Sequence, residues 1–117
     1  MSAPAERFRV EGNRVVFDSG KAGSFKYDVA EAVGFDRAVV ARLEVPAGVI
    51  LNENVYGLAY DGRVLWQVPA RKHVYPDSPY TKIARGADGA VVLSNWDGLE
   101  LTLDPETGRV LGESWGR

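Results

Sequence analysis

The sequence has no cysteine among its 117 residues. That absence excludes a disulfide framework, a thiol nucleophile, an iron–sulfur cluster and any cysteine zinc site. Histidine occurs once, at His73, so a multi-histidine metal centre is excluded as well. Neither charge sign dominates: 14 Lys and Arg stand against 16 Asp and Glu, a formal net charge of −2. This balance lacks the strong basic field of a general nucleic-acid binder and the acidic excess of a disordered tail. No apolar run approaches the ~20 residues of a membrane-spanning helix. The N-terminal MSAPAERF has no apolar stretch of the kind a signal peptide needs. No Gly-x-Gly-x-x-Gly or phosphate-binding loop occurs, and nothing calls for a cofactor. The expectation is a soluble, cytoplasmic protein with no membrane or nucleic-acid partner.

What the sequence does have is frequent turn chemistry between short runs of Val, Leu, Phe, Tyr and Trp. That is the punctuation of an all-β protein. Residues 8–10 and 15–17 flank Glu11, Gly12 and Asn13 as a hairpin, with Gly12 and Asn13 suited to a tight turn. Phe25, Tyr27 and Val29 alternate with Lys26 and Asp28 as a third strand, and residues 28–33 could form one helical turn. A further strand spans 37–45. Asp61 and Gly62 join two apolar runs, 55–60 and 63–68, into another hairpin, because both central residues of a type I′ turn need positive φ. Residues 80–84 and 90–94 form a third hairpin. Asp97 and Gly98 turn the chain into the alternating Leu99, Leu101, Leu103 strand. Asp104 to Gly108 turns it again into the last strand, 110–115.

The run Gly62-Arg-Val-Leu-Trp66 is echoed by Gly108-Arg-Val-Leu-Gly112, 46 positions later. Asn54 and Asn95, and the runs AVVARL and AVVLS, fall at matching places upstream. The chain therefore carries two blade-like repeats, about 37–69 and 80–115, in a single domain over 1–117. The expected fold is an all-β domain of eight to ten short antiparallel strands, forming an open sheet or a small sandwich or barrel.

The ending LTLDPETGRVL resembles the blade ending of quinoprotein-type propellers, with their Asp-x-x-Thr-Gly turn. Gly62 lacks the preceding Thr, and Gly112 stands where Trp is usual. Residues 52–115 also resemble a family of small bacterial proteins of unassigned function. Its members share an Asn-x-x-Val-aromatic-Gly strand, a Gly-x-x-Leu-Trp-Gln strand and an Asn-Trp-Asp-Gly turn before Asp-x-x-Thr-Gly. That resemblance implies an accessory or immunity protein whose partner is another protein, such as a toxin.

The residues themselves carry little catalytic chemistry. Asn95, Asp97, Asp104 and Glu106 hint at calcium, but the ordered twelve-residue loop is missing and turn chemistry explains them. A serine–histidine–aspartate centre would have to use His73, with no nucleophile motif beside it. Trp66, inside an apolar strand, reads as core. Trp96, in a turn, fits an exposed anchor as well as it fits a core cover. The loop 69–80 holds three prolines with Arg71, His73, Tyr75 and Tyr80. Basic and aromatic groups on a proline-stiffened loop suit binding at low entropic cost. The reading is a non-catalytic protein-binding module that contacts its partner through Arg71, His73, Tyr75, Tyr80 and Trp96. The alternatives are a carbohydrate-binding module and a small hydrolase. The hydrolase would need a carboxylate of shifted pKa beside His73 in a polar cleft. The terminal strands carry few lysines to guard their edges, which predicts a weak homodimer.

Overall fold

In the computed structural model, which describes residues 7–116, eleven strands form three antiparallel sheets. The first sheet holds β1 (Phe8–Glu11), β2 (Arg14–Phe17) and β3 (Ala22–Ser24) in that order. The middle sheet holds β4 (Val29–Gly34), β5 (Val39–Leu43), β6 (Val55–Leu58) and β7 (Val64–Gln67). The last sheet holds β8 (Tyr80–Arg85), β9 (Val91–Asn95), β10 (Leu99–Leu103) and β11 (Val110–Trp115). Every neighbour in a sheet is also a neighbour in sequence, so each sheet is a meander built from local hairpins. The expected all-β antiparallel class is what the structure shows. The N-terminal residues 1–6 of the sequence reading lie outside the described residues.

The middle sheet is buried on both faces, and strand alternation explains how. Along β5, Val39, Ala41 and Leu43 point to one side and join Val15, Phe17, Val29 and Leu58 in a core shared with the first sheet. Val40 points to the other side and joins Val55, Trp66 and Val68 with Ile83, Val91, Leu93 and the three leucines of β10. The seam between the middle and last sheets is closed by Trp66. Its ring lies between Gly57, opposite it on β6, and Gly108 in the β10–β11 turn. Its indole N–H donates to the Pro105 carbonyl at 2.8 Å. The core assignment of Trp66 holds at 8% exposure.

The expected hairpins form, including Val10 opposite Val15 and Gly57 opposite Trp66, but at Asp61-Gly62 only the glycine takes positive φ and the β6–β7 register shifts after Gly57, so that turn is not the expected type I′. Two expectations about residues 25–33 do not hold. The third strand is Ala22–Ser24, and the stretch read as a helical turn is β4. Tertiary contact overrides the helical preference of Ala30, Glu31 and Ala32 there. Val29 is buried, Ala32 packs against the core, and the Glu31 carboxylate accepts from Arg42 Nε at 2.6 Å and from the Ile83 N–H at 3.1 Å. Phe25 and Tyr27 still cover the core, from a bend after β3 rather than from a strand.

Candidate functional site

Antiparallel order sends three connections to one end of the molecule: 44–54 after β5, 68–79 after β7 and 96–98 after β9. They are bonded into one surface. Asn52 donates through Nδ2 to the Pro76 carbonyl at 2.9 Å and accepts from the Ser78 N–H at 2.8 Å. Asn95 donates to the Ser78 carbonyl at 2.8 Å, and the Trp96 N–H donates to the Pro79 carbonyl at 2.9 Å. Beneath them Asn54, almost fully buried, donates to the carbonyls of Leu43 and Tyr80 and accepts from the Tyr80 N–H. Asn54 and Asn95 stood out in the sequence only as a repeat. Their role is to satisfy loop backbone groups that burial would otherwise leave unpaired.

Asp97 is the centre of the arrangement. Its side chain has no solvent exposure, and that of His73 has 4%. Asp97 Oδ2 accepts from His73 Nδ1 at 2.9 Å and from the Val74 N–H at 3.1 Å, while Oδ1 accepts from the Leu99 N–H at 3.1 Å. Burial alone would raise the Asp97 pKa. The Leu99 and Val74 N–H groups and His73 outweigh burial and hold the carboxyl below its ordinary value. A carboxylate only accepts, so His73 Nδ1 carries the hydrogen of this bond, which fixes the imidazole orientation. The hydroxyl of Ser78 is used locally, donating to the Tyr75 carbonyl at 2.8 Å.

The five residues singled out in the sequence are brought to this end, but they face different ways. Trp96 is 66% exposed and Tyr75 54% exposed. Trp96 borders a shallow groove with residues 45–49, Asp77 and Pro79. His73 turns inward to Asp97, and Arg71, partly buried, is ion-paired with Glu113 of β11. Tyr80 is buried at 1% exposure, its ring edge-on to the imidazole at a centroid distance of 6.2 Å. Burial pushes its hydroxyl pKa up to about 12. Two exposed apolar residues at this end escaped the sequence reading: Ile50, 64% exposed, and Val74, 62% exposed. Single aliphatic residues in loops carry no signal that separates an exposed position from a buried one.

At the opposite end, the β4–β5, β8–β9 and β10–β11 turns border a cleft of about 460 Å³. Arg85 lies over the Phe35 ring there at 5.0 Å, and the Asp104 carboxylate accepts the Glu106 N–H within its own turn. Turn chemistry accounts for that carboxylate, as the sequence suggested.

Two solved structures share this architecture. A computationally designed protein, Ika8, aligns with a TM-score of 0.64 at 19% identity, over 98% of this chain and 36% of its own. A protein of unknown function from Bacteroides caccae aligns with a TM-score of 0.61 at 13% identity, over 91% of this chain and 39% of its own. The chain thus spans little more than a third of the structures it resembles, and at these identities the likeness is one of fold. No curated protein matches the sequence. A family model does match, over residues 5–115, and by that match the chain belongs to the family described as a domain of unknown function, DUF7957.

Proposed function

We propose that the protein is a non-catalytic binding module whose partner, another protein, is gripped by the end that carries loops 44–54, 68–79 and 96–98. One observation carries this reading. Ile50, Val74, Tyr75 and Trp96 are all more than half exposed, and they sit on three connections that are hydrogen-bonded to one another. Apolar groups gathered on a rigid loop end are the signature of an interaction surface. Tryptophan and tyrosine are the residues that most often dominate interface energetics. His73 and Tyr80 support the surface from beneath.

The finer readings belong here too. Each four-stranded meander has the strand order of a propeller blade, and the matched runs AVVARL and AVVLS fall on the second strands, β5 and β9. A cytoplasmic immunity or accessory protein that captures a toxin is the biological setting in which a small binding module of this kind fits.

The test uses Tyr75→Ala, Trp96→Ala and, at the far end, Leu111→Ala. A protein captured by the wild type is purified and titrated against all three. The first two should each weaken binding by about 2 kcal/mol or more, roughly 30-fold, as expected at hot spots. Leu111→Ala should bind as the wild type does. Equal affinity for all three variants refutes the proposed surface. A toxin-like reading frame beside the gene would support the immunity reading.

A further inference from the structure

The groove beside Trp96 has walls held by short local bonds. On one side the chain turns at residues 46–49, where the Val49 N–H donates to the Pro46 carbonyl at 3.1 Å. On the other the Trp96 N–H donates to the Pro79 carbonyl at 2.9 Å. Val45, Pro46, Val49 and Pro79 make these walls apolar, and Trp96, 66% exposed, stands at their edge. The groove measures about 280 Å³. Sites for free small molecules run from roughly 300 to 1,000 Å³, so this one suits a single side chain presented by a larger partner.

Among the described residues that line it, Asp77 is the one charged side chain. Asp77 is exposed, and its carboxylate is in no ion pair with any described residue. The basic residues of the same loop are directed elsewhere. Arg71 and Lys72 line a recess on the flank of β11, where Arg71 is paired with Glu113. His73 is turned inward to Asp97. An incoming side chain therefore meets an open indole, apolar walls and one uncompensated carboxylate.

Each class of side chain fares differently there. An acidic one is repelled by Asp77. An aliphatic one covers the walls but takes water from a carboxylate that then has no partner. A cation answers the carboxylate and is drawn to the indole face. Of the two long basic side chains, arginine fits better. Its guanidinium is planar and weakly hydrated, stacks on aromatic rings and can offer two N–H groups to one carboxylate. Its apolar stem can lie along the walls while the charged head stays at the rim.

We propose that the Trp96–Asp77 groove takes an arginine side chain presented by the partner protein, with the guanidinium against the indole and paired with Asp77. This rests on the protein-binding reading of the loop end and deepens it, by giving the partner's contact segment an exposed arginine.

The test has two arms, both on the full chain. The first follows the Trp96 indole N–H resonance by NMR at low salt, identified by its loss in Trp96→Phe. The probes are acetyl-Pro-Arg-Pro-amide and its counterparts with citrulline or glutamate in place of arginine. The arginine peptide should shift the Trp96 resonance and leave that of Trp66 in place. Citrulline keeps the shape and removes the charge, and it should bind about 3- to 30-fold more weakly, the combined range of an exposed cation–π contact and an exposed ion pair. The glutamate peptide should not bind. Added salt should narrow the gap between arginine and citrulline. Asp77→Asn, at an exposed position, should weaken the arginine peptide about two- to fivefold and leave the citrulline peptide unchanged. Silence from the arginine peptide overturns the proposal, as does equal binding of the arginine and citrulline peptides. An Asp77→Asn loss that is the same for both peptides also overturns it. The second arm titrates the captured partner against Asp77→Asn beside Tyr75→Ala and Trp96→Ala. Weaker binding in all three supports the proposal. Weaker binding in the two alanine variants with wild-type affinity in Asp77→Asn keeps the protein-binding surface and refutes the arginine. Wild-type affinity in all three, with the arginine peptide still preferred, refutes the surface and leaves the groove's own specificity standing.

Discussion

Replacing Gly108 with alanine should open the seam between the middle and last sheets. Two costs combine at this position. Gly108 has φ of +74°, where a side chain costs about 1–2 kcal/mol. A Cβ there would also come within 2.6 Å of Trp66 Cγ and 2.7 Å of Cδ2. The ring cannot retreat, because Gly57 lies against its other side. It must leave its rotamer and stretch the bond to the Pro105 carbonyl. Overpacking of a buried site costs about 1–3 kcal/mol, and a lost hydrogen bond about 1 kcal/mol. The expected total is about 3–6 kcal/mol, a large part of the 5–15 kcal/mol that holds a typical domain together. Gly89 supplies the control. Its φ is +75°, but nothing lies within 4 Å of a Cβ built there, so Gly89→Ala should cost only the backbone share. Urea unfolding of both variants isolates the seam as their difference, about 2–4 kcal/mol. In a Trp66→Leu background the difference should shrink toward zero, as a double-mutant cycle reads direct coupling. Equal destabilisation by Gly108→Ala and Gly89→Ala would refute the clamp around Trp66.

Three further outcomes are expected. Asn54→Ala should destabilise by about 3 kcal/mol or more, since it strips partners from buried backbone groups of Leu43 and Tyr80; a chemical melt checks it. Asp97, whose folded pKa lies below the ordinary 3.8, contributes stability that is present above that value and lost as pH falls through the folded pKa. Unfolding midpoints measured from pH 5 downward should therefore drop in acid for the wild type and drop less for Asp97→Asn, and identical profiles would deny Asp97 this role. Light scattering at about 100 μM, well above the μM range of weak association, should show mass above that of the monomer, and a monomer mass removes the homodimer.

The turns were legible because their chemistry is local. Gly12, Gly62, Gly98 and Gly108 adopt positive φ in the places the sequence marked as turns. The strands of the two repeats followed from apolar alternation between those turns. β3, with only Ala22, Gly23 and Ser24, has no periodicity to read, and β4 is spelled in helix formers whose partners are distant in sequence. The division into three sheets was illegible for the same reason: which face of β5 meets which sheet depends on contacts no local pattern records. At the site, residue types pointed to the loop and the turn, while direction did not follow. Tyr75 and Tyr80 look alike in sequence, yet one faces solvent and the other is core, because Tyr80 begins β8 and pairs with Asn95. Likewise, 24 positions separate His73 from Asp97, so their bond exists only in the folded chain.

The position of Trp66 has an optical consequence. Of the three tryptophans, Trp96 and Trp115 are open to water, and Trp66 is enclosed between two sheets with its N–H occupied. Emission from Trp66 should be blue-shifted and shielded from a dissolved quencher such as acrylamide, while the other two are quenched freely. The shielded fraction therefore reports whether the middle and last sheets are joined, separately from whether their hairpins exist. The protein carries a built-in optical gauge of its own seam, and substituting Trp96 and Trp115 by phenylalanine would leave that gauge as the sole tryptophan signal.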